Sequence, residues 1–140
     1  MMDSSIVFLL IAILLVGIFI FVAIALTGRR THEFDKEAYQ IAFLQIENTL
    51  RKENQLTYHT AIIEADKLLD RAMNEMGVPG KTMGERLKHV GNKFTKLNSV
   101  WYAHKIRNQI AHEHGFKPEY NQAKHALAAY KQALKDLGAI

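Results

Sequence analysis

Residues 6–26 contain no charge, no proline and one glycine, Gly17. About 21 residues rising ~1.5 Å each cover about 31 Å, close to the hydrocarbon thickness of a bilayer. A soluble helix of that length shows a polar face, and this segment shows none. The pattern predicts one membrane-spanning helix. Behind it the apolar positions become periodic, and no stretch alternates at period two.

Five amphipathic stretches follow. Asp35 can cap a first helix running to about Asn54, with Tyr39, Phe43, Ile46 and Leu50 on one face. A second runs from about Thr57 to Met76, with Ala61, Ala65, Leu68, Ala72 and Met76 in period and Ile62 and Leu69 widening the stripe. Whether a break near Gln55 separates the two is left open by the pattern. Gly77, Pro79 and Gly80 stop the second helix. Thr82-Met83-Gly84-Glu85 reads as a capping box for a short third helix to about Val90, broken at Gly91 and Asn92. A fourth helix starts near Asn98 or Ser99 and ends before Gly115. Pro118 suits the first turn of a fifth, in which Tyr120, Ala123, Leu127, Tyr130, Leu134 and Leu137 form a clean stripe. The expected fold class is all-α: an N-terminal transmembrane helix followed by an antiparallel four- to five-helix bundle. The expected organisation is an anchor over 1–28, a linker over 29–35 and a helical domain over 36–140.

Two features bear on the anchor. Ala23-Ile24-Ala25 has the small-x-small look of a signal-peptide cleavage site. Against cleavage, Asp3 is the only charge before the run, and the run exceeds a normal h-region. The segment therefore reads as a retained single-pass anchor. Arg29 and Arg30 follow it directly, so the positive-inside rule places the helical domain in the cytoplasm.

Composition narrows the chemistry. The 140 residues hold no cysteine, which excludes disulfides, thiolate metal sites and a cysteine nucleophile. All 18 Lys and Arg and 13 of the 14 acids lie after residue 28, a formal 18 − 13 = +5. That favours anionic partners only mildly. Gly80-Lys81-Thr82 resembles the end of a P-loop, but position 75 is Glu and the preceding element is helical, so the pattern fails. His112 and His114 point apart on a helix, and no HExxH is present. No metal and no cofactor is expected.

The informative stretch is 99–114. On a helix, His104, Arg107, Asn108, Ala111 and His112 share one polar face, while Val100, Ala103, Ile106 and Ile110 make a separate apolar one. Solvated faces usually carry Lys and Glu. This one carries two imidazoles, an amide and a guanidinium, and histidine and asparagine are not strong helix formers. Both readings stand at this level: a solvated face, or a site. Glu64, Asp66 and Asp70 on the second helix either solvate its outer face or pair with Lys67 and Arg71, with Glu64 a candidate to buttress Arg107. Trp101 reads as a core or interface residue.

Arg107-Asn108-Gln109-Ile110-Ala111-His112 resembles the R-x4-6-H signature of the HEPN superfamily. The surrounding 103–113, the stretch 61–70 and the turn at 80–87 are similar to small bacterial members of that group. The resemblance covers about residues 36–137 and does not include the anchor. It implies a helical bundle that often forms a homodimer, with two signature motifs meeting in one composite site. Many members are metal-independent endoribonucleases, and others are binding or structural modules.

The residue types fit that chemistry. Cleavage through the RNA 2′-hydroxyl needs a base that titrates near neutrality, which histidine supplies. It also needs a fixed positive charge for the phosphorane, which arginine supplies. The expected catalytic set is Arg107, His112, Asn108 and His104: phosphate stabilisation, acid–base transfer, orientation, and a second imidazole or supporting partner. Arg107 and His112 lie about 140° apart on an ideal helix, so a loosened helix end or a symmetric partner must bring them to one phosphate. Expected partners are the membrane, a second copy, RNA, and a protein partner such as an antitoxin. A non-catalytic module and a structural membrane subunit are the alternatives.

Overall fold

The structure, a computed structural model, describes residues 3–27 and 32–140. Arg29 and Arg30, on which the expected orientation rests, lie outside the described residues. The chain is all-helical, with no strand among the described residues. It divides into two compact units, Met1–His32 and Glu33–Ile140.

The first unit holds α1 (Ser4–Thr27), which is long and apolar enough to cross a membrane. Its described side chains are exposed all round, Phe8 and Phe19 by more than 70%. A surface so uniformly apolar has no face suited to water.

The second unit holds α2 (Lys36–Thr49), α3 (Gln55–Glu75), α4 (Met83–Val90), a 3-10 turn (Gly91–Lys93), α5 (Leu97–His112) and α6 (Tyr120–Leu137). Helix α3 is central and touches α2, α4, α5 and α6. The reason lies in its composition. Ala61, Ala65 and Ala72 are buried on α3, and Ala123, Ala126 and Ala133 on α6. Small side chains let two helices approach closely. Around this seam Ile62, Leu69, Met73, Leu87, Ile106, Tyr130 and Leu134 are fully buried.

Helix boundaries follow local capping. The Asp35 side chain accepts from the Ala38 N–H and starts α2. Helix α2 ends at Thr49, short of the expected Asn54. Leu50 turns extended, and Asn54 instead caps α3 by accepting from the Leu56 N–H at 3.1 Å. Leu50 keeps its apolar contact without being helical, which is why periodicity carried the helix too far. At the end of α3, Gly77 adopts φ +72° while the Val78 N–H bonds back to the Met73 carbonyl. That left-handed position favours glycine. Helix α5 begins at Leu97, slightly earlier than Asn98. Pro118 is not in the first turn of α6. Glu119 is the N-cap, its N–H donating to Gln122 Oε1, and Pro118 is buried just before it.

Thr82 caps α4, its hydroxyl accepting from the Glu85 N–H at 3.3 Å. The return bond is displaced by one residue: Glu85 Oε2 accepts from the Lys81 N–H at 2.6 Å. Thr82→Ala is expected to cost about 1 kcal/mol, read as a lower urea midpoint at unchanged slope.

Candidate functional site

The apolar side of α5 determines where its polar groups go. Val100, Ala103 and Ile106 are buried, and they dock α5 against α3 and α6. His104 and Arg107 therefore flank α3, while Asn108 and His112 turn outward.

What they meet on α3 is Asp66. It is 4% exposed and the only buried charged side chain among the described residues. This corrects the expectation that Asp66 solvates an outer face. Asp66 Oδ1 accepts from the Tyr130 hydroxyl at 2.9 Å and lies 2.8 Å from His104 Nδ1. Asp66 Oδ2 lies 3.4 Å from Arg107 Nε, close enough for charge pairing but not aligned as a hydrogen bond. Arg107 Nη1 donates to Asn108 Oδ1 at 3.1 Å. The other acids sort differently. Glu64 pairs with Lys67 at 2.8 Å and does not buttress Arg107. Asp70 pairs with Arg86 rather than Arg71, and Arg71 pairs with Glu75.

The Asp66 contact fixes the His104 ring. An ionised carboxylate only accepts, so the donor is Nδ1–H. The second ring nitrogen, Nε2, lies on the other edge. That edge faces Gly84 of α4, where an added methyl would sit 3.6 Å from Nε2. Trp101 packs edge-on to the imidazole, centroids 6.1 Å apart.

A shallow depression of about 340 Å³ opens on this face, lined by Trp101, His104, Lys105, Asn108, Gln109, His112 and Glu113. It gathers three of the four expected site residues. Arg107 is not among its walls. Helix α5 stays regular through His112 and turns extended at Glu113, so no loosened end carries His112 toward Arg107 within one chain. Among the described residues no group of three His, Asp or Glu is placed to hold a metal ion.

The pattern assigns neither Asp66 nor Tyr130 to the site, although a signal exists. Ile62, Asp66, Leu69 and Met73 recur at i, i+4, i+7 and i+11, so an acid stands inside an apolar stripe. Burial pushes the Tyr130 phenol well above its ordinary value, and the Asp66 charge adds to the rise. Burial likewise raises Tyr39, helped by the Glu75 carboxylate. Both phenols are held neutral in the fold. Their stabilisation is complete below the unfolded value of about 10 and is lost as pH rises above it. Urea unfolding should show stability falling above about pH 10, less steeply in Tyr130→Phe.

No protein-family model, curated protein or solved structure matches this chain.

Proposed function

We propose that this protein is a membrane-anchored, metal-independent endoribonuclease whose helical unit faces the cytoplasm. The observation that carries the reading is one depression lined by His104, Asn108 and His112, with the His104 ring fixed by buried Asp66. Two imidazoles on one face provide a base and an acid for transfer through the 2′-hydroxyl. One imidazole takes the 2′ proton as that oxygen attacks phosphorus. The other protonates the departing 5′ oxygen. The products are a 2′,3′-cyclic phosphate and a 5′-hydroxyl end, with no metal and no redox change.

His112 is exposed at the last turn of α5 and has the acid–base role. His104 is the second imidazole. Asn108 orients the phosphate. The Arg107 side chain, 30% exposed, supplies charge to the phosphorane. The resemblance of 107–112 to the HEPN signature supports these roles. We further read the helices of the second unit as an antiparallel bundle that pairs with a second copy, so that Arg107 of one protomer and His112 of its partner serve one phosphate. Confinement by a shared membrane raises the effective concentration for such pairing.

The test is the purified full chain in detergent, incubated with end-labelled RNA in EDTA. Cyclic-phosphate ends that vanish in Arg107→Ala support the proposal. Equal inertness of wild type and variant removes it, and favours a second reading, a non-catalytic module. The contacts of Arg107 with Asp66 and Asn108 suit that structural role. Sedimentation of the same sample tests pairing: a clean monomer at high concentration removes the composite site.

A further inference from the structure

Charge is segregated along the helical unit. From Arg86 to His112 the chain has no aspartate or glutamate, while Arg86, Lys88, Lys93, Lys96, Lys105 and Arg107 are cationic. Arg86 and Arg107 are taken up by Asp70 and Asp66. The four lysines are exposed, and none forms an ion pair among the described residues. Asp136 of α6 borders this stretch, accepting from the Thr95 N–H and hydroxyl, and the four unpaired lysines leave it with an excess of positive charge that attracts polyanions.

The same surface holds a second concavity. A groove of about 520 Å³ runs between α5 and α6, with Lys96, Ser99, Tyr102, His125 and Gln132 on its walls and no carboxylate. Tyr102 is 46% exposed, the only aromatic side chain of the helical unit so open among the described residues. An uncovered phenol ring is a stacking surface for a base. Lys96 and His125 suit a phosphate, and Ser99 and Gln132 offer polar contacts to a sugar or base edge.

The groove and the depression are connected across α5. Residues three apart are offset by about 60° around a helix, so Tyr102, Lys105 and Asn108 step across its outer face. Lys105 is exposed midway. We propose that the α5/α6 groove binds a nucleotide of single-stranded RNA, stacked on Tyr102, and that the strand then passes Lys105 to reach the depression. This rests on the ribonuclease reading for its substrate but concerns binding alone. A concave site with an open aromatic ring favours a strand over a planar anionic lipid surface.

The test measures binding of a fluorescein-labelled oligoadenylate by anisotropy, with the full chain in phosphatidylcholine nanodiscs. His112→Ala serves as the background so that the probe stays intact. Tyr102→Ala is expected to weaken binding about tenfold, and Tyr102→Phe to stay within about twofold, because the stacking face is kept. Lys96→Glu is expected to weaken binding several-fold and to flatten its salt dependence. Tyr102 and Lys96 are both exposed, so circular dichroism should match the parent. Unchanged affinity in Tyr102→Ala overturns the proposal. So does a parent that ignores the oligonucleotide but gathers vesicles containing phosphatidylserine, which would assign the surface to lipid. Binding that depends on Tyr102 in a chain that never cleaves RNA upholds the groove and removes the ribonuclease reading. Cleavage that is indifferent to Tyr102 and Lys96 does the reverse.

Discussion

Asp66→Ala should lower folding stability by about 3–5 kcal/mol, the range for breaking a buried charged pair by removing one partner. The carboxylate is the hydrogen-bond acceptor for two groups and the counter-charge for a third, from two other helices. Tyr130 comes from α6, and His104 and Arg107 come from α5. Truncation strands the Tyr130 hydroxyl in a fully buried position and leaves Arg107 with no counter-charge. Asp66→Asn keeps the size and one acceptor oxygen while removing the charge, so its loss should be smaller. Urea unfolding at neutral pH, read by helical circular dichroism, gives both values. A change in Asp66→Ala below about 0.5 kcal/mol, the range of ordinary surface substitutions, would contradict this role for the carboxylate.

His112→Ala should lower RNA cleavage by about 10²–10⁴-fold, the contribution typical of a positioned acid or base. Its effect on stability should stay within about 0.5 kcal/mol, because the ring is exposed at a helix end and packs against no core. That separation makes His112 the cleaner probe. His104→Ala changes two things at once. It removes an imidazole from the depression and a partner from Asp66, so its rate must be read beside its unfolding midpoint. Single-turnover cleavage with saturating chain isolates the chemical step for both variants. A His112→Ala chain that cleaves at the parental rate would take the acid–base role away from this residue.

Much of the fold was written in short-range signals. The apolar run of α1, the Asp35 and Thr82 caps and the Gly77 stop each depend on a few neighbouring residues, and each is found at its expected place. Several boundaries differ from the expected ones, two of them instructively. Leu50 satisfies the core stripe from an extended conformation, and Pro118 is buried before the cap rather than after it. Periodicity reports the burial of Leu50 and not its helicity, and the preference of proline for a first turn does not say whether the cap comes before or after it.

The site was legible on α5 and not across the core. Spacing put His104, Asn108 and His112 on one face of a helix, because helical geometry is local. The Asp66 contact joins residues 38 positions apart, and Tyr130 is 64 away. Spacing along one helix carries no information on such pairs. Glu64 and Asp66 differ by two residues and thus face different sides of α3, which is why one is solvated and the other is the buried anchor.

The central claim is that His104 and His112, which line one depression, work as base and acid. The pH dependence of single-turnover RNA cleavage, measured for the full chain in EDTA, tests it most directly. The account predicts a bell-shaped profile, falling on the acid side as the base is protonated and on the alkaline side as the acid is lost, with one limb removed in His112→Ala. A rate that rises steadily with pH and is unaltered by His112→Ala, as for hydroxide acting alone, would contradict it.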